Sequence, residues 1–294
     1  SSARLRSVSP FDYSQGEGFN FKHDWKYGRM EIRAKVPAGQ GTWAAAWMLP
    51  TDWAFGGWAM SGEIDILEAV NIGAPSDADD AVAGQAENRV YGTLHYGRAW
   101  PGNVYTGESY DAIADPSADF HTYTIEGEEG AIRWFVDDVH YVTQTQEGWY
   151  THYQDEFGAW QTSGTTAAPF NQNFHIILNL AMGGNWAGTV NEGGIDAALN
   201  EALYQVDYVR VYQCEDDVTG VACGTKGEEG TYILQSGVVE PLGRDRSFTC
   251  IKHRFLVVHL KGARWNNFFK IGSRCLPGDI EPCVGPAFPI SNLK

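Results

Sequence analysis

The chain has 294 residues, 43% hydrophobic and 20% charged, which places it in the ordinary globular range with room for one large all-β domain and an appendage. Its net charge of −16 argues against nucleic acid or an anionic membrane surface as partner, and no apolar run reaches the roughly eighteen residues needed to span a bilayer. A neutral partner fits this balance better.

In chain order, SSARLRSVS (Ser1 to Ser9) reads as an alternating strand rather than a charged-then-apolar signal, so an upstream piece carrying any signal is expected to precede it. RMEIRAKV (Arg29 to Val36) alternates Met30, Ile32, Ala34 and Val36 against Glu31, Arg33 and Lys35, the two-residue period of a strand with one dry face. Strand-like runs follow at TWAAAWML, EIDI, VYGTLHY, HTYTIE, IRWFV and VHYVTQT about an Asp137-Asp138 turn, FHIILNLAM and YQVDYVRVY. Asn71 to Asn88 is polar and reads as a surface loop, and the one helical contender is GIDAALNEAL (Gly194 to Leu203). Many strands with Gly, Pro, Asn and Asp turns and no alternating helices predict antiparallel sheets packed as a β-sandwich or jelly roll.

The two ends of the chain differ in kind. Up to Thr225 there are 31 acidic and 11 basic residues, and beyond it 6 acidic and 10 basic. A first domain is therefore assigned to 1–213, a polar linker to 214–230 and an extension of unknown role to 231–294, with RFLVVHL (Arg254 to Leu260) as one strand. All five cysteines fall from Cys214 onward; Cys214 and Cys223 are close enough for a loop-closing disulfide, and Cys250, Cys275 and Cys283 leave one unpaired.

The chemistry concentrates in SGEIDILEAV (Ser61 to Val70). On a strand Glu63 and Asp65 share one face and the isoleucines point to the core, whereas a helix would set Glu63 and Glu68 about 140° apart. Glu68 lies five residues after Glu63, so it joins that face only if a β-bulge near Ile66 and Leu67 absorbs one residue. Three carboxyls so close cannot all ionise easily, which leaves one protonated as a general acid and another anionic as a nucleophile. Two carboxyls about 5–5.5 Å apart suit retaining glycoside hydrolysis. The acidic triplet alone reads better as a solvated strand face, and the tryptophans around it shift the balance toward a site: Trp43, Trp47, Trp53 and Trp58 precede it, and Trp100 and Trp186 follow turns. Indole rings stack on sugar faces, although about half of these six are expected to be packing residues. Trp134, aligned with Ile132 and Val136, reads as core. His95 in GTLHYG is a partner of the acids or of a sugar hydroxyl, or else a structural histidine. No GxSxG elbow, P-loop or GxGxxG is present.

Taken with YGRMEIRAKVPAGQGTWAAAWMLP, YGTLHYG, FHTYTIE, ILNLAMGGNW and VDYVRVYQ, the stretch SGEIDILEAV closely resembles family 16 of the glycoside hydrolases, in its bacterial laminarinase branch, over Ser1 to about Gln213. The resemblance implies a jelly roll with a concave substrate cleft and retaining endo-hydrolysis of β-1,3-glucan. It assigns Glu63 as nucleophile, Glu68 as acid/base and Asp65 as the residue tuning Glu63. It further implies that Trp43, Trp58, His95 and Trp100 line the cleft, that no cofactor takes part in catalysis, and that Asp207 helps hold a structural calcium. Family members usually begin tens of residues earlier, with strands that complete the sandwich, so those strands are expected to be missing here. The expected protein is a secreted monomer acting on a neutral β-glucan. Two alternatives stand beside it: a non-catalytic β-glucan-binding protein on the same scaffold, which would typically have lost an acid, and a hydrolase of mixed-linkage glucan or algal galactan.

Overall fold

A computed structural model describes residues 3–8, 23–214 and 248–261, with residues 3, 213, 214 and 248–261 described by their backbone alone. In chain order the elements are β1 (Ala3–Arg6), β2 (Gly28–Lys35), β3 (Thr42–Pro50), β4 (Glu63–Val70), β5 (Val90–Tyr96), β6 (Val104–Tyr110), β7 (His121–Glu128), β8 (Ala131–Val136), β9 (Val139–Thr145), β10 (His152–Gln154), β11 (Trp160–Thr162), β12 (Phe174–Met182), α1 (Gly184–Ala187), β13 (Glu201–Cys214) and β14 (Phe248–Lys261). Two six-stranded antiparallel sheets, ordered β1-β12-β3-β4-β5-β6 and β14-β13-β2-β7-β8-β9, stack as a jelly-roll sandwich, and β10 and β11 form a separate hairpin.

The core lies between the sheets and follows from the two-residue period. Strand β2 alternates buried and half-buried residues along its whole length, sending Met30, Ile32 and Ala34 inward. From the other sheet Ile64, Leu94, Ile176 and Leu180 meet them. Burying each such side chain contributes roughly 1.5–3 kcal/mol before conformational entropy is subtracted. The Asp137-Asp138 turn forms as expected, both residues at positive φ (49° and 63°), the geometry of a tight two-residue hairpin.

Two expectations are corrected, for 194–203 and for 71–88, and three strands appear that the sequence pattern does not announce. GIDAALNEAL is not helical: its residues form a loop and the start of β13, and α1 is the one helix among the described residues. Strands β6, β10 and β11 have no dry face that a periodic pattern would reveal, because β6 is an exposed edge and the hairpin is mostly solvated. The segment 71–88 is not simply a surface loop, since Asn71, Ile72 and Glu87 are buried. Asn71 sits at φ 55°, accepts from the Gly41 N–H at 2.6 Å, and donates to the Ala187 carbonyl at 3.1 Å and the Asn191 side chain at 2.9 Å. It thereby ties the loop after β4 to the segment after α1. The strand expected at Arg254 to Leu260 falls within β14, which pairs with β13. Apart from that strand and Cys214, the linker and the extension lie outside the described residues, as does the Cys214–Cys223 pairing.

Asn71→Ala would strand the Gly41 N–H in a buried site. It is expected to lower the unfolding free energy by about 2–3 kcal/mol, read from urea midpoints at unchanged m value. A loss below about 0.5 kcal/mol would show that the buried bonds of Asn71 contribute nothing net.

Candidate active site

Strand β4 lies inside its sheet between β3 and β5, so its side chains can leave only toward the core or toward the outer face. On the β3 side Trp47 faces Asp65 and Ala46 faces Leu67, which skips Ile66; on the β5 side Thr93 faces Asp65 and Tyr91 faces Glu68. The strand therefore carries one extra residue, the bulge that the Glu63–Glu68 spacing requires. Both Ile66 and Leu67 join the core. Glu63, Asp65 and Glu68 are left together on the outer face.

Each glutamate meets an indole. Trp58 Nε1 donates to Glu63 Oε2 at 2.9 Å, and Trp43 Nε1 donates to Glu68 Oε1 at 3.0 Å. His95, opposite Glu63 on β5, brings Nε2 to 3.3 Å from Asp65 Oδ2 and 3.7 Å from Glu63 Oε1. Its ring lies against Trp58 on one side and Tyr105 on the other, with centroids 5.7 and 5.8 Å away. Trp186, from α1, packs edge-on against both Trp43 and Tyr91.

Burial dominates the electrostatics. It pushes Glu63, Asp65 and Glu68 each up to about 8, and the charge on Asp65 adds to the rise for both glutamates. The two indole N–H groups and His95 pull the glutamates the other way without cancelling burial. A cluster of this kind retains at least one proton at neutral pH, the condition for donating one to a leaving group.

Of the residues singled out in the sequence, the three acids, Trp43, Trp58 and His95 come together. Trp100 lies in the turn between β5, which carries His95, and β6, and is 74% exposed. None of the six tryptophans near the acids is fully buried; among the described residues the buried ones are Trp25, Trp134 and Trp149. Trp134 is core, as its alignment with Ile132 and Val136 indicated. Tyr91, Tyr105 and Asn179 escaped sequence reasoning. Asn179 accepts from Trp47 Nε1 at 2.5 Å, and only the register of β12 on β3 brings it to this face.

Asp207 lies in the other sheet, as the extra residue of a bulge in β13, and its carboxylate accepts from Arg33 Nη1 at 2.6 Å. Calcium takes six to eight oxygens and is repelled by a guanidinium. Among the described residues the surroundings of Asp207 do not fit that ion, and the one set of three ligand-type side chains that converges is Glu63, Asp65 and His95.

The family model for glycosyl hydrolases family 16 matches residues 4–209. The chain is 38% identical over 206 residues to a glucan endo-1,3-beta-glucosidase A1 of Niallia circulans, covering 68% of this chain and 26% of that protein. It is 34% identical over 254 residues to a beta-1,3-glucan-binding protein of Penaeus monodon, covering 73% of this chain and 63% of that one. Among solved structures, the laminarinase from Rhodothermus marinus superposes with a TM-score of 0.51 at 33% identity, over 71% of this chain and 76% of that chain. The chain thus spans less than two thirds of the length of these two curated relatives.

The raised carboxyls have a consequence for stability. A group whose pKa is higher folded than unfolded contributes stability that is fully present below its unfolded value, about 4.5 for Glu68, and lost as pH rises through about 8. Glu68→Gln cannot ionise, so its melting temperature relative to the unsubstituted chain is expected to rise between pH 4.5 and pH 9. Equal differences at the two pH values in scanning calorimetry would show that folding does not raise this carboxyl.

Proposed function

Because the chain belongs to glycosyl hydrolases family 16, we propose that it hydrolyses internal β-1,3 linkages of a laminarin-like glucan with retention of anomeric configuration. The observation that carries this reading is the bulge in β4, which sets Glu63 and Glu68 on one face with an indole N–H on each. The relatives named for glucan endo-1,3-beta-glucosidase and laminarinase activity support the substrate class.

In this reading the Glu63 carboxylate attacks the anomeric carbon while the bond from that carbon to the glycosidic oxygen breaks, and the departing oxygen takes the proton of Glu68. Water then gives a proton to Glu68 and attacks the same carbon, and the ester to Glu63 breaks. Two inversions give net retention. The Trp58 N–H favours the ionised form of Glu63, as a nucleophile needs, and Asp65 with His95 orients it from the side. The half-buried indoles of Trp43 and Trp58 offer flat apolar edges to pyranose rings. No cofactor is assigned a step. A polymer outside the cell is the corresponding substrate source, and a monomer suffices because all the groups come from one chain.

The Penaeus monodon relative favours a second reading, a glucan-binding protein without turnover. The full acid set favours hydrolysis.

A reducing-sugar assay on laminarin separates the two. The unsubstituted chain is expected to turn over and Glu63→Gln to lose at least about a thousandfold in kcat while still binding the polymer; undiminished binding with no hydrolysis by the unsubstituted chain would establish the binding protein. The pH profile of kcat/KM is expected to be bell-shaped, its alkaline limb near the raised value of about 8 for Glu68. Glu68→Gln is expected to remove that limb and about 10²–10⁴-fold of rate, and an unchanged limb and rate would exclude Glu68 as the acid.

A further inference from the structure

The bulge that gathers the acids also interrupts the hydrogen-bond ladder of β4. Where β4 supplies Ile66 and Leu67, β5 supplies Gly92 alone, and on the β3 side Ile66 has no partner. A buried backbone group turned out of a ladder needs a partner elsewhere. The Asp65 carbonyl finds one in the opposite sheet: Trp134 Nε1, from β8, donates to it at 2.8 Å, and the Trp134 side chain is completely buried.

That contact exists because of a missing side chain. A Cβ at position 92 would stand 2.4 Å from Trp134 Cδ1 and 2.8 Å from its Nε1, and 2.5 Å from the Tyr141 hydroxyl. The residue facing the bulge is thus the one that leaves the indole its path. As packing alone, Trp134 would serve with any large apolar ring. Its one polar atom instead meets the carbonyl of the middle acid, at the peptide where β4 departs from its regular period.

We infer that Trp134 is a positioning residue: its indole N–H, admitted by Gly92, fixes the Asp65–Ile66 peptide and so sets the direction in which Glu63, Asp65 and Glu68 leave the strand. The inference rests on the reading of these acids as a hydrolytic site. A rotation of that peptide moves Asp65 and Glu68 relative to Glu63 and stretches the bond from Trp43 to Glu68, while the Trp43 and Trp58 rings keep their own places on β3 and before β4. The loss is therefore expected in kcat rather than in KM.

Trp134→Phe keeps an apolar ring and removes the donor. On laminarin, kcat is expected to fall about ten- to a hundredfold with KM changed by less than about twofold, the size of effect that a displacement near 1 Å produces. The alkaline limb of the pH profile is expected to move, and so are the titrations of the carboxyl carbons of Asp65 and Glu68 in ¹³C NMR, recorded without substrate. A lowered melting temperature with kcat, pH profile and carboxyl titrations unchanged would reduce Trp134 to packing and overturn the inference. Should Trp134→Phe fail to fold, benzothienylalanine at position 134 replaces the N–H by sulfur at nearly equal volume and is held to the same outcomes. If the unsubstituted chain does not hydrolyse laminarin, the functional reading falls, and the carboxyl titrations still decide whether the indole sets the geometry of the acids.

Discussion

A β-strand turns successive side chains to opposite faces, and one extra residue reverses that assignment for everything beyond it. In β4 the reversal sits between Asp65 and Glu68. It lets the strand bury Ile64, Ile66, Leu67 and Ala69 in the core and still present Glu63, Asp65 and Glu68 outward. A regular strand of the same sequence would turn Glu68 into the core and Leu67 and Ala69 out of it. The bulge therefore meets the demand of the core and the demand of the outer face together, and the buried indole beneath it satisfies the carbonyl that the distortion turns inward.

The outer face works against the solvation of its own charges. Three carboxyls in a mostly buried setting all move upward, because burial penalises each anion and the charge on Asp65 adds to the rise at both glutamates. The aromatic walls provide what water would otherwise supply. Trp58 and Trp43 each aim an N–H at one glutamate, and His95 reaches between Glu63 and Asp65. In the proposed reading the same rings offer apolar edges to a neutral polymer, so that binding surface and electrostatic control would come from the same side chains. An uncharged substrate, as proposed, agrees with a chain whose net charge is −16.

Support for this face extends beyond the sheet. Tyr91 and Trp43 both lean on Trp186, which α1 carries, and the segment after α1 is tied to the loop following β4 through Asn71 and Asn191. Glu87, buried beneath that junction, stays ionised at lower pH than usual: burial opposes this, and bonds from Arg89 and Asn191 outweigh it. The contrast with Glu68 is instructive. Burial pushes both carboxyls upward; at Glu68 the charge on Asp65 adds to it, and at Glu87 the bonds from Arg89 and Asn191 reverse it.

The sequence by itself determined a good part of this protein. Period-two runs such as Arg29 to Val36 announce sandwich strands, and the five-residue interval between Glu63 and Glu68 demands a bulge, because both signals are local and rest on strand geometry alone. Edge strand β6 and the β10–β11 hairpin were silent, since a strand without a buried face leaves no periodic trace. The tryptophans near the acids could not be sorted from packing residues, and Asp207 looked available to a cation until Arg33, 174 residues away in the chain, closed on it. Only the tertiary structure decided that Gly92 opens a path for Trp134 to the Asp65 carbonyl. Contacts of that kind join residues from different strands and opposite sheets, and their distances are set by how the sheets stack, which no local pattern encodes.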